Sequence, residues 1–166
     1  DRSLITTAGF NWFSVMRLDS GSYNDPALLL DFTKTGDDSG VALTINTAKD
    51  LISNQTFTKQ RNGSLIEIKV NSMFQLRSSS AGDHEWVGMI VVDSAGTPIT
   101  KYIGGSIWSG TGYFTPLLIG SVMVANLGTG NHTVKVQVYP GVSGDYYLRP
   151  SAATPFEFLT VQVIEH

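Results

Sequence analysis

The segment Trp108-Ser109-Gly110-Thr111-Gly112-Tyr113 combines two aromatic rings, two glycines and three hydroxyls within six residues. Sugars lay their apolar faces on exposed aromatic rings, and nearby hydroxyl and amide groups fix the sugar hydroxyls. Read for chemistry, this is a glycan-binding loop over residues 107–114, with Trp108, Ser109, Thr111 and Tyr113 as ligand contacts. Trp86 joins them as a third candidate ring. The competing reading is packing in the core or at a subunit contact, where aromatic residues are equally at home.

The remaining reactive residues are scattered. Asp83-His84-Glu85 sets three potential ligands side by side. On a strand, neighbours face opposite sides, so only Asp83 and Glu85 can converge, and a polar loop leading into the strand of Trp86 is expected. Asn24-Asp25 and Asp37-Asp38-Ser39 are oxygen-rich enough for calcium, but these residues are also ordinary turn formers. No cofactor or metal is therefore expected. His84, His132 and His166 lie far apart, and no Gly-x-Ser-x-Gly elbow marks a nucleophile. Gly104-Gly105-Ser106 and Gly110-Thr111-Gly112 have no helix behind them, so neither reads as a phosphate cradle. Asp31 and Glu157 are the acidic residues nearest to apolar context, and no pair of carboxylates suggests a glycosidase. Asn54-Gln55-Thr56, Asn62-Gly63-Ser64 and Asn131-His132-Thr133 are N-glycosylation sequons.

Composition narrows the class. A chain of 166 residues is enough for one domain with a full core, over residues 1–166. Charged residues are only 15% of the chain, against about 25% in ordinary soluble proteins. Ser, Thr, Asn, Gln and Gly must supply the polar surface, as in extracellular β-domains and viral or phage surface proteins. The net charge is −3 and no Lys/Arg run occurs, so nucleic acid is not an expected partner. Cysteine is absent, which removes disulfides and thiolate chemistry. No apolar stretch approaches the ~18 residues of a membrane helix, so no membrane insertion is expected. The Asp1-Arg2-Ser3 start reads as a mature chain or an excised domain.

The elements that must position these residues are strands. Residues 131–139 and 158–166 alternate apolar and polar side chains, the two-residue period of a half-buried strand. Further apolar or alternating runs occur at 27–33, 41–46, 51–58, 64–76, 86–93, 99–103 and 117–127, separated by Gly-, Asn- and Asp-rich punctuation that includes Gly104-Gly105 and Gly110-Thr111-Gly112. Ala48-Lys49-Asp50-Leu51-Ile52 offers one helical turn at most. Eight to ten antiparallel strands around one core are expected, as a sandwich or jelly roll. Its apolar faces should be Ile66/Ile68/Val70, Val134/Val136/Val138 and Leu159/Val161/Val163. The lack of a Cys–Trp–Cys pattern argues against an immunoglobulin-type sandwich.

Two segments carry a family resemblance. Phe57-Thr58-Lys59-Gln60-Arg61-Asn62-Gly63-Ser64-Leu65-Ile66-Glu67-Ile68 resembles the early strand pair of C1q/TNF-like heads, and in particular the C-terminal domain of collagen-triple-helix-repeat-containing proteins. Leu127-Gly128-Thr129-Gly130-Asn131-His132-Thr133-Val134-Lys135-Val136, with the closing Phe158-Leu159-Thr160-Val161-Gln162-Val163-Ile164-Glu165, is similar to the late strands of bacterial and animal C1q-like domains. The first fifty residues fall outside the resemblance. It implies a jelly-roll homotrimer at the end of a stalk, outside the cell or on a cell or virion surface, binding a cell-surface protein or a glycan without turnover. Trp12, Phe13, Tyr102, Trp108, Tyr113, Phe114, Tyr146 and Tyr147 are the candidate subunit contacts. The alternative is a viral or phage fibre or capsid surface domain; a glycan-active enzyme ranks behind both.

Overall fold

The computed structural model describes residues 25–34, 37–73, 75–78, 83–114, 117–141, 144–148 and 158–166. They form twelve strands: β1 (Ala27–Lys34), β2 (Asp37–Leu43), β3 (Lys49–Lys59), β4 (Ile66–Met73), β5 (Gln75–Ser78), β6 (Asp83–Ser94), β7 (Thr97–Ser109), β8 (Gly112–Phe114), β9 (Leu117–Val124), β10 (Gly130–Pro140), β11 (Gly144–Leu148) and β12 (Phe158–Glu165). Eight of them make two four-stranded antiparallel sheets, ordered β1-β12-β4-β9 and β3-β10-β6-β7. This is the all-β sandwich that the alternation predicts, in the jelly-roll form that the C1q/TNF-like resemblance implies.

The alternation dictates the packing. Along β12 every second residue is buried, and Leu159, Val161 and Val163 are fully enclosed. Val161 stands opposite Val70 and Val163 opposite Ile68 on β4, so the pairing register stacks one apolar face. On the other sheet Val134, Val136 and Val138 stand opposite Val92, Ile90 and Gly88. Both sets belong to one buried cluster with Leu51, Ile52, Phe57, Ile66, Trp86 and Val124. A slip of one residue in either sheet would turn these faces to solvent, so the pattern also fixes the register.

The last strand is pinned by a buried carboxylate. Glu165, fully enclosed, accepts hydrogen bonds from the Arg61 amide (2.8 Å), the Gln60 amide (3.2 Å) and the Ser64 hydroxyl (2.5 Å). The Arg61 guanidinium donates to the Glu165 carbonyl (2.6 Å), and its Nε lies 3.7 Å from the carboxylate. Buried Lys59 donates to the Arg61 carbonyl. The end of β12 is thereby tied to the β3–β4 connection.

Four further strands lie outside these two sheets. They form a third sheet, ordered β2-β11-β5-β8. Each comes from one of the four connections at the same end of the sandwich: β1 to β3, β4 to β6, β7 to β9 and β10 to β12. Their order repeats that of the first sheet position by position, β2 following β1, β11 preceding β12, β5 following β4 and β8 preceding β9, and the four form a crown at this end of the sandwich. Three local expectations are corrected. Ala48–Ile52 is not helical, since β3 begins at Lys49. Asp37, Asp38 and Ser39 lie in β2 rather than in a turn. Gly104-Gly105 lies inside β7 beside a register shift in the β6–β7 ladder, and a Cβ on Gly105 would sit 2.7 Å from the Trp86 carbonyl oxygen. Close backbone approach, not a turn, is what needs glycine there.

Candidate functional site

The residues chosen for ligand binding converge on the base of the crown. Trp108 and Ser109 end β7, opposite His84 and Asp83 of β6. Tyr113 lies in β8, opposite Arg77 of β5. Only Gly110 and exposed Thr111 link the two strands. Residues 107–114 are therefore not the free loop expected from their glycines: three end a strand, two connect and three begin another. Asp83-His84-Glu85 likewise opens β6 instead of forming a loop. The ladder sets two segments singled out for different chemistry, 83–85 and 107–109, side by side.

The other candidates separate. Exposed Asp31 on β1 accepts a hydrogen bond from Gln162 (3.4 Å). His132 is buried near the start of β10, with Nε2 2.8 Å from the Gly128 carbonyl and its ring tilted on Phe57 at 5.5 Å. His166 lies 2.9 Å from Glu67, and that hydrogen bond is the main cause holding the Glu67 carboxyl below its ordinary value. Trp12, Phe13, Asn24 and Glu157 lie outside the described residues. Among the described residues no group of three His, Cys, Asp or Glu side chains is placed to hold a metal ion.

A surface that the sequence reading passed over lies on the outside of the second sheet. In β6, Ile90 and Val92 face the core, so Val87, Met89 and Val91 face outward. Met89 and Val91 are each 8% exposed yet belong to no part of the core cluster. Their cross-strand neighbours shield them: Tyr102 and Gln137 beside Met89, Thr100 and Lys135 beside Val91. Tyr102 itself is 72% exposed, and Tyr139, opposite Val87, is 38% exposed. At the margin Asp50 takes a hydrogen bond from Gln137 (2.6 Å) and an ion pair from Lys135 (3.5 Å), so its charge is balanced within the chain. The signal was in the sequence: Trp86-Val87-Gly88-Met89-Ile90-Val91-Val92 does not alternate, as strands covered on both faces do not.

No family model and no curated protein matches the chain. Solved structures do. The VP2 subviral particle of infectious bursal disease virus aligns at 11% identity and a TM-score of 0.50, covering 86% of this chain and 38% of that one. The Gx strain of the same virus aligns at 12% identity and 0.45, over 86% and 37%. Eiger TNF from S. frugiperda aligns at 9% identity and 0.44, over 82% and 92%. The chain thus spans about 38% of the VP2 chain that it matches. At this identity the likeness to VP2 is one of fold, and the fold is the jelly roll.

Proposed function

We propose that residues 1–166 form one non-catalytic recognition domain that works as a homotrimer, exposed outside the cell or on a virion, with the crown as its ligand-facing end. The observation that carries this reading is the second apolar layer on the outer face of the β3-β10-β6-β7 sheet. An antiparallel sheet with one wet face alternates; β6 does not. Above this layer Tyr102 and Tyr139 are exposed, and they gain from a partner that covers them. The internally balanced Lys135–Asp50 pair lets a second copy of the same face approach without charge repulsion. The C1q/TNF-like resemblance supplies the number three.

A crown recruited from four separate connections is a platform on a rigid scaffold, the usual place for recognition residues. Trp108, Ser109, Thr111 and Tyr113 at its base are the proposed contacts for a glycan or a cell-surface protein. The second reading is a viral or phage surface domain, and the fold likeness to VP2 of a virus particle supports it. Both readings bind without turnover. Sedimentation at micromolar concentration tests the assembly: about three times the 17.9 kDa chain mass is expected, and a clean monomer contradicts it.

A further inference from the structure

Opposite the crown, a shallow concavity of about 370 Å³ is lined by Asn54, Thr56, Asp93, Ala95, Asn131 and Thr133, among others. The pairing assembles it from three distant parts of the chain. Thr133 on β10 stands opposite Thr56 on β3 and opposite Asp93 on β6. Side chains directly opposite lie ~5 Å apart, so this row spans roughly 10 Å across three strands. Asn54 and Asn131 flank it, and the two-residue turn at Ala95 and Gly96, both at positive φ, forms a wall. The inner side of the floor is Val92 and Val134, both fully buried, so the row is held rigidly.

We propose that this concavity binds the hydroxyl groups of a neutral saccharide. The donor and acceptor set fits that class. Asp93 and the two amides accept from hydroxyls, the amides and the two threonines also donate, and all but one of these capacities are unspent. Among the described residues, Asn54, Thr56, Asp93 and Thr133 make no side-chain hydrogen bond to the protein, and Asn131 uses only its Oδ1, towards Thr58 (2.8 Å). The lining holds no Lys or Arg, and Asp93 repels anions, so phosphorylated or acidic sugars are disfavoured. Its one aromatic ring, His132, is buried against Phe57, and it holds no Trp, Tyr or Phe to stack on a sugar, so single-site binding is weak and would be strengthened by multivalency. Asn54 and Asn131 each head a sequon, and N-linked glycans on them would fill the concavity.

The test uses the full chain, ¹⁵N-labelled and made in a host that does not N-glycosylate. Methyl α-mannoside, methyl β-galactoside and N-acetylglucosamine are titrated separately at millimolar concentration. At least one should shift amides confined to 54–56, 93–96 and 131–133. Those shifts should vanish in Asp93→Ala and weaken several-fold in Thr56→Val, both exposed positions, and persist in Trp108→Ala. Silence from all three sugars at these amides overturns the proposal. So does a response that survives in Asp93→Ala, or calcium chloride alone reproducing the pattern, which would assign the concavity to a cation.

Discussion

Replacing Glu165 by Gln removes one charge from a fully enclosed site. The side chain is fully enclosed, and three donors, the Gln60 and Arg61 amides and the Ser64 hydroxyl, point at its carboxylate with the Arg61 guanidinium behind them. A glutamine amide can present its oxygen to some of these donors, but its NH₂ then faces others. Breaking a buried charged pair costs about 3–5 kcal/mol. For a domain of this size each kcal/mol moves the melting temperature by about 2–4 °C, so Glu165→Gln should melt roughly 6–20 °C lower. The pH profile separates this from a packing defect. Burial works to raise the Glu165 carboxyl, but Ser64, the Arg61 and Gln60 amides and the Arg61 charge together hold it below the ordinary glutamate value. A group depressed in the folded state stabilises above its unfolded pKa, about 4.3, and loses that contribution as pH falls through the folded value. Thermal melts by circular dichroism from neutral to acidic pH should therefore show the wild type keeping its advantage down to the ordinary glutamate value, about 4.3, and converging on the variant only as pH falls further. A loss under about 1 kcal/mol, or parallel profiles over the whole range, would refute the role of Glu165 as the tie between β12 and the β3–β4 connection.

Gly105→Ala should destabilise by about 1–3 kcal/mol in chemical denaturation, because the new Cβ meets the Trp86 carbonyl oxygen at 2.7 Å and neither backbone can retreat from the β6–β7 ladder. Ile90→Ala, at a fully buried position of the core cluster, should cost about 2–5 kcal/mol by the same assay. Trp108→Ala should abolish retention on a glycan array with little change in melting temperature; unchanged retention with about 3–5 kcal/mol of lost stability would return Trp108 to a packing role.

The fold was legible where a strand has one wet face. In β4, β10 and β12 the alternation named Ile66, Ile68, Val70, Val134, Val136, Val138, Leu159, Val161 and Val163, and all are at most 1% exposed. It was not legible where strands are short or glycine-rich. β8 (Gly-Tyr-Phe) and β11 (Gly-Asp-Tyr-Tyr-Leu) carry too few residues for a period to show, and β4 and the start of β5 fall in the single apolar run 64–76. The pairing of β8 and β11 is long-range, so local composition gave no strand at 112–114 or 144–148. The Thr56–Thr133–Asp93 row was invisible for a related reason: its members are ordinary polar residues far apart in the chain, and only the register brings them together. The outer layer on β6 sat between these cases. Its unbroken apolar run stands in the sequence, but which members face outward follows only once Ile90 and Val92 are seen in the core.

The central claim is that the outer face of the β3-β10-β6-β7 sheet is where copies of the chain meet. Multi-angle light scattering of the wild type and of Tyr102→Lys at equal micromolar concentration tests it most directly. Tyr102 is 72% exposed, so the substitution should leave the melting temperature of an isolated subunit almost unchanged, while placing an unpaired charge beside Met89 in the proposed contact. The wild type should run at about three times the 17.9 kDa chain mass and the variant at about one. A monomeric wild type, or a Tyr102→Lys variant of unchanged mass, would contradict the account.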